Sequence, residues 1–124
     1  MNKNILVIED NLDNMSLITQ LLESAGNTVF KAVTGMEGYE KALELRPDVI
    51  LLDIQLPDIE GTEVLQMIRR NKEVEDIAIV AVTSYAMAGD REKLMAAGCN
   101  GYIEKPIDPF RIFEELETIL KEQQ

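Results

Sequence analysis

The chain has 124 residues, 46% hydrophobic and 28% charged, with a net charge of −11 and a single cysteine. That length predicts one domain over residues 1–124, with a core large enough to need no metal or disulfide staple and no room for a second domain. The acid excess repels phosphate backbones and anionic lipid, which disfavours direct nucleic-acid binding and membrane insertion and makes basic patches on protein partners the natural complement.

The amino terminus, MNKNILVIEDN, meets acids after a short apolar run and lacks the apolar segment of a secretory signal. No apolar run approaches membrane-spanning length. Both features predict a cytoplasmic protein. Cys99, flanked by Gly98, Asn100 and Gly101, reads as a small turn or core residue in a reducing compartment.

Residues 5 to 8, ILVI, form a first short apolar run that ends in Glu9 and Asp10, a strand leading into a loop. Asn11 can cap the helix that follows, where Ile18, Leu21, Leu22 and Ala25 recur at helical spacing and Gly26 suits the residue beyond its end. Residues 27–32 form a less hydrophobic strand, nearer an edge. Thr34 followed by Glu37 is a capping-box signature, and Tyr39, Ala42, Leu43 and Leu45 carry a second helix to a stop at Arg46 and Pro47.

Val49 to Leu52 are four consecutive apolar residues, as in a strand buried on both faces of a parallel sheet, and the run stops on Asp53. Leu56, Pro57, Asp58 and Gly61 read as a loop. A third helix runs from Ile59 or Glu60 to Asn71 through Val64, Leu65 and Ile68, with Arg69 and Arg70 in its last turn. IAIVAV at 77–82 is a fourth strand ending at Thr83. A helix from about Asp90 to Ala97 is closed by Gly98, and Gly101 to Glu104 make a short fifth strand running into Lys105 and Pro106. Asp108 as cap with Pro109 in the first helical position opens the last helix, with its stripe of Ile112, Phe113, Leu116, Ile119 and Leu120. The tail from Lys121 to Gln124 is expected to fray. Strict alternation of five strands and five helices predicts an α/β fold with right-handed crossovers and a parallel sheet between helix layers.

In such a sheet Glu9, Asp10, Asp53, Thr83 and Lys105 all arrive at the carboxyl ends of strands, where open α/β sheets bind ligands. Taken singly, each has an ordinary reading: a helix amino-terminal charge or cap, a turn-opening aspartate, a strand-end hydroxyl, a solvated lysine. Together, three crowded carboxylates call for a proton or a cation. An all-oxygen set without histidine suits a hard ion such as Mg²⁺, which commonly keeps water and a phosphate oxygen. A lysine and a hydroxyl beside it can bind the remaining phosphoryl oxygens.

The ED pair at 9 and 10, Asp53 followed by Leu56, Pro57 and Gly61, Thr83, and the Lys105–Pro106 pair resemble the receiver domain of two-component response regulators, over essentially the whole chain. The resemblance implies a doubly wound (βα)5, flavodoxin-like fold with strand order 2-1-3-4-5. It implies that Asp53 accepts a phosphoryl group from a phosphohistidine and that Glu9, Asp10, Asp53 and the Gln55 carbonyl hold Mg²⁺, Asp10 more directly than Glu9. Lys105 would bind a phosphoryl oxygen, Thr83 would swing to hydrogen-bond it, and Tyr102 would turn inward with it. The Lys105–Pro106 bond would be cis. The family's signalling surface would include Met87, Leu94, Tyr102 and Arg111. Glu9 stands where an aspartate is often found, and Ser84 where alanine is frequent. Gln55 and Tyr85 flank the site, and their bulk suggests restricted water access.

With no histidine in the chain, the donor is expected to be a sensor histidine kinase or a histidine phosphotransfer protein. It would dock on Asn11, Leu12, Asn14, Met15, Pro106 and Ile107, with Met15 and Ile107 suiting a docking patch if exposed. The output is expected to be a protein contact or onward phosphorelay to a downstream protein. A mononucleotide carrier would need a Ser/Thr/Gly-rich phosphate loop where EDNLDN stands. A phosphoaspartate hydrolase would need an acid where Gln55 stands. A degenerate receiver acting as a phosphorylation-independent scaffold is disfavoured, because no site position is lost.

Overall fold

A computed structural model describes residues 2–84 and 88–122. The elements alternate as β1 (Asn4–Ile8), α1 (Leu12–Ser24), β2 (Thr28–Ala32), α2 (Gly35–Leu45), β3 (Val49–Asp53), α3 (Gly61–Arg70), β4 (Ala78–Thr83), α4 (Ala88–Ala97), β5 (Gly101–Glu104) and α5 (Ile112–Lys121). All pairings are parallel and the strand order is β2-β1-β3-β4-β5, the doubly wound arrangement expected. Tyr85, Met87 and Gln124, which carry expectations above, lie outside the described residues.

Every residue of β3 is buried because the sheet is covered on both faces. Leu6, Ile8, Ile50, Leu52, Ile79 and Ala81 pack with Val64, Leu65 and Ile68 of α3 and Leu94 of α4. The alternate residues Ile5, Val7, Val49, Leu51, Val80 and Val82 pack with Met15, Ile18 and Leu22 of α1 and Ile112 and Leu116 of α5. Side chains alternate across a strand, so two covered faces demand the unbroken apolar runs seen in the sequence. Each such aliphatic contributes roughly 1.5–3 kcal/mol when fully buried. β2 pairs only with β1 and leaves Thr28 and Lys31 exposed, in keeping with an edge.

The caps follow local chemistry. Asn11 Oδ1 accepts the Asn14 amide at 2.9 Å, and Thr34 Oγ1 accepts the Glu37 amide at 3.1 Å. Glu37 returns its carboxylate to the Val33 amide at 2.8 Å, one residue before the cap, so the box closes over an extra residue. Asp108 does not open α5. Its Oδ1 accepts the Phe110 amide at 2.9 Å, an Asx turn over two residues that delays the helix to Ile112. α4 starts two residues before the expected Asp90. The Lys105–Pro106 bond is cis.

Candidate metal and phosphoryl site

Parallel strands bring their carboxyl ends to one edge, and there the chain leaves each strand on a polar residue. Glu9 and Asp10 follow β1, Asp53 ends β3, Thr83 ends β4 and Lys105 follows β5. Carboxylate oxygens of Glu9, Asp10 and Asp53 all lie within 4.8 Å of one another. Glu9, Asp53 and Thr83 are buried, Asp10 is exposed, and Lys105 lies between. The set is therefore a shallow cleft with one carboxylate open to solvent and two withheld from it.

Lys105 is the cation of this cluster. Its Nζ lies 3.2 Å from Asp53 Oδ2 and 3.3 Å from Glu9 Oε2, and it donates to Glu9 Oε1 at 3.3 Å. Its backbone N–H donates to the Thr83 carbonyl at 2.8 Å, which ties the lysine to the end of β4. Asp53 is oriented from the other side as well, its Oδ1 accepting the Gln55 amide at 3.0 Å. Both Asp53 oxygens are thus fixed, one by an amide and one by an ammonium.

Burial and the neighbouring Asp53 charge push the Glu9 carboxyl above its ordinary pKa, while Lys105 and Asn14 pull the other way. Glu9 Oε2 is buried and, beyond its 3.3 Å ion-pair contact with Lys105, has no hydrogen-bond partner among the described residues. An oxygen left so, among three carboxylates and, among the described residues, no nitrogen or sulfur ligand, fits a hard divalent cation bound through oxygen and water. The residues present fit Mg²⁺.

Gly61 shapes the loop beneath Asp53. A Cβ there would stand 2.5 Å from Ile54 Cα and 2.7 Å from the Asp53 carbonyl, both backbone atoms, and its amide bonds the Ile54 carbonyl at 2.9 Å. No side chain fits that approach. Asp58, next in the same loop, accepts the amides of Gly35 at 2.8 Å and Met36 at 3.0 Å, so it caps α2 from a distance. Those two bonds hold its carboxyl below the ordinary range.

Tyr102 is half-buried on β5, with the Arg91 guanidinium 4.9 Å from its ring centroid, a cation–π contact. Arg91, Met95, Tyr102, Arg111 and Glu114 line a groove of about 880 Å³ between α4, β5 and α5. Leu94, expected on that surface, is instead only 4% exposed and belongs to the core. The expected docking patch also changes composition. Met15 and Ile107 are buried, whereas Leu12 is 72% and Phe110 94% exposed. Met15 lies three residues before Ile18 and seven before Leu22, on the stripe that faces the sheet. The Gln55 side chain is exposed.

Besides Asp58, two residues make contacts that escaped the sequence reading. Asn14, placed with the docking surface, also donates from Nδ2 to Glu9 Oε1 at 3.3 Å. Arg69, read only as a helix-end charge, donates to the carbonyls of Gly98, Glu75 and Ile77 and to Asn100 Oδ1, all within 2.8 Å. Position five after Glu9, on the first helical turn, was a usable signal for Asn14. Nothing local announces the partners of Arg69.

The response regulator receiver domain model matches residues 5–117. The polar-differentiation response regulator DivK of Brucella anthropi is 40% identical over 120 residues, a match covering 97% of this chain and 98% of that protein. Its counterpart in Brucella ovis is 39% identical with the same coverage. Among solved structures, a CheY-like receiver domain protein of Methanospirillum hungatei JF-1 is similar at 32% identity and a TM-score of 0.88, covering 99% of this chain and 97% of that one. The receiver domain of the sensor histidine kinase PA1611 of Pseudomonas aeruginosa PAO1, which has a magnesium ion coordinated in its active site cleft, is 31% identical with a TM-score of 0.87, covering 98% and 99%. Sequence, topology and the carboxylate–lysine cleft agree, and this chain belongs to the response regulator receiver domain family of two-component signalling systems.

Proposed function

We propose that residues 1–124 act as a single receiver domain in which Asp53 is the phosphoacceptor, taking a phosphoryl group from a phosphohistidine of a sensor histidine kinase or histidine phosphotransfer protein in the cytoplasm. The observation that carries this reading is Asp53 itself: a buried strand-end carboxylate with one oxygen 3.2 Å from Lys105, inside a cluster of three acids. An Asp53 carboxylate oxygen attacks phosphorus, the P–N bond breaks, and its electron pair returns to the donor imidazole. Lys105, already beside Asp53, compensates the charge on the transferring oxygens. Glu9, Asp10, Asp53 and the Gln55 carbonyl would hold Mg²⁺, which when bound supplies Lewis-acid stabilisation of the phosphoryl group. The chain is a phosphoacceptor signalling protein that promotes only its own phosphoryl transfer and dephosphorylation.

Phosphorylation adds roughly two negative charges beside the Thr83 hydroxyl. Thr83 and Tyr102 carry the change to the α4–β5–α5 groove, where a downstream protein docks; in an onward relay the group leaves Asp53 itself for the next histidine. The donor docks on α1 and the segment after β5, with Leu12 and Phe110 as its apolar contacts.

The test is intact mass after incubation with Mg²⁺ and acetyl phosphate. Wild type gains one phosphoryl group only with Mg²⁺, and Asp53→Asn gains none. Equal labelling of the two proteins would move the acceptor elsewhere, and no labelling of either, from acetyl phosphate or from a phosphorylated histidine phosphotransfer protein, would favour a scaffold.

A further inference from the structure

Glu9 carries one methylene more than an aspartate, so its carboxylate has an extra torsion to fix, and it must be fixed against repulsion from Asp53. Among the described residues, two side chains donate to it. Lys105 spans both oxygens at 3.3 Å, and Asn14 Nδ2 donates to Oε1 alone at 3.3 Å. Lys105 lies equally far from both oxygens but hydrogen-bonds Oε1 alone, and the carboxamide adds a second, uncharged donor to that same oxygen. With Oε1 engaged twice, Oε2 is the oxygen left without a hydrogen bond. Asn14 is itself held, since its amide is capped by Asn11 Oδ1 at 2.9 Å and its side chain is half-buried at the start of α1. The chemistry of the residue also fits the place. A carboxamide donates without charge, so it orients a carboxylate without repelling a cation as a second lysine would, and without adding a fourth acid.

We propose that Asn14 is a positioning residue of the phosphoryl site, fixing the Glu9 carboxylate so that Oε2 is presented to the divalent cation. This rests on the metal and acceptor reading above. Asn14 touches neither phosphorus nor metal and acts through Glu9.

The experiment is Mg²⁺ titration of the intact protein followed by ¹H–¹⁵N chemical shifts, on wild type, Asn14→Leu, Asn14→Gln, Glu9→Gln and the Asn14→Leu/Glu9→Gln double variant, with Asn14→Ala as a second truncation and Ser16→Ala as a same-helix control. Asn14→Leu keeps the shape and removes the donor, and it weakens Mg²⁺ binding about tenfold, the low end for outer-shell ligands. Asn14→Gln, which keeps the donor, recovers most of that loss, and the Glu9 side-chain carboxyl ¹³C shift moves in Asn14→Leu but not in Ser16→Ala. In the Glu9→Gln background the further loss from Asn14→Leu is under about twofold, as expected when one residue acts through the other. Wild-type affinity in Asn14→Leu and Asn14→Ala, in a protein that still binds Mg²⁺ and is phosphorylated, overturns the role of Asn14 and leaves the acceptor reading standing. An equal loss in both backgrounds overturns it too, by showing an effect independent of Glu9. Absence of Mg²⁺ binding in wild type overturns the metal reading and this proposal together.

Discussion

Replacing Lys105 with methionine, Lys105→Met, keeps the stem and removes the charge that two buried carboxylates share. At 3.2–3.3 Å and an effective dielectric near 20, each contact represents about 5 kcal/mol of gross attraction. Most of that is offset by desolvating the ammonium, whose side chain is 15% exposed. What remains is the cost of leaving Glu9 and Asp53 buried without a cation, about 3 kcal/mol from the behaviour of broken buried pairs. For a domain of this size that lowers the melting temperature by about 10 °C. The assay is thermal unfolding by circular dichroism in EDTA and in millimolar Mg²⁺. Mg²⁺ binds only the folded cluster and narrows the gap, because it replaces the missing positive charge. Acid narrows it as well. The native Glu9 carboxyl is raised above its ordinary 4.5, and loss of Lys105 raises it further. A raised acid is destabilising above its native pKa, and the penalty lifts as pH falls through that value towards 4.5. The variant therefore gains on wild type between neutrality and mild acid. An unchanged melting temperature in EDTA, or a deficit indifferent to both Mg²⁺ and pH, would refute the view that Lys105 neutralises this cluster.

Asp58→Ala removes the cap on Gly35 and Met36. The native carboxyl lies below its ordinary 3.8, so its stabilisation is complete above that value and lost as pH falls through the native one. Melting curves of variant and wild type differ at neutral pH and converge in strong acid. Gly61→Ala drives a Cβ into the backbone of Ile54 and Asp53; it costs about 1–3 kcal/mol in denaturant titration and slows phosphorylation by acetyl phosphate. Arg69→Met abandons three carbonyls and the Asn100 side chain and costs about 3 kcal/mol in urea unfolding. Arg69→Lys recovers little of this, because an ammonium cannot reproduce the guanidinium fork.

These predictions differ in how far the sequence alone could have supported them. β3 and the carboxyl-end placement of Glu9, Asp10, Asp53, Thr83 and Lys105 were legible because each polar residue adjoins its own apolar run. A parallel sheet converts that adjacency in sequence into adjacency in space. The Asn11 and Thr34 caps were legible for the same reason, since their partners lie three residues away. Asp58 reaches α2 across 22 and 23 residues, and Arg69 reaches Gly98 and Asn100 across 29 and 31. Such contacts depend on how helices sit on the sheet, which no short window contains. Burial at element ends fails for a related reason. Met15 and Leu12 are one turn apart on α1, yet one is in the core with Ile18 and Leu22 and the other, the first residue of the helix, is in solvent. Within that turn Asn14 reaches Glu9 while Leu12 stays exposed. On the docking proposed above, the same turn meets a phosphodonor and orients a site carboxylate, so a donor that shifts α1 would act on the Glu9 carboxylate through Asn14.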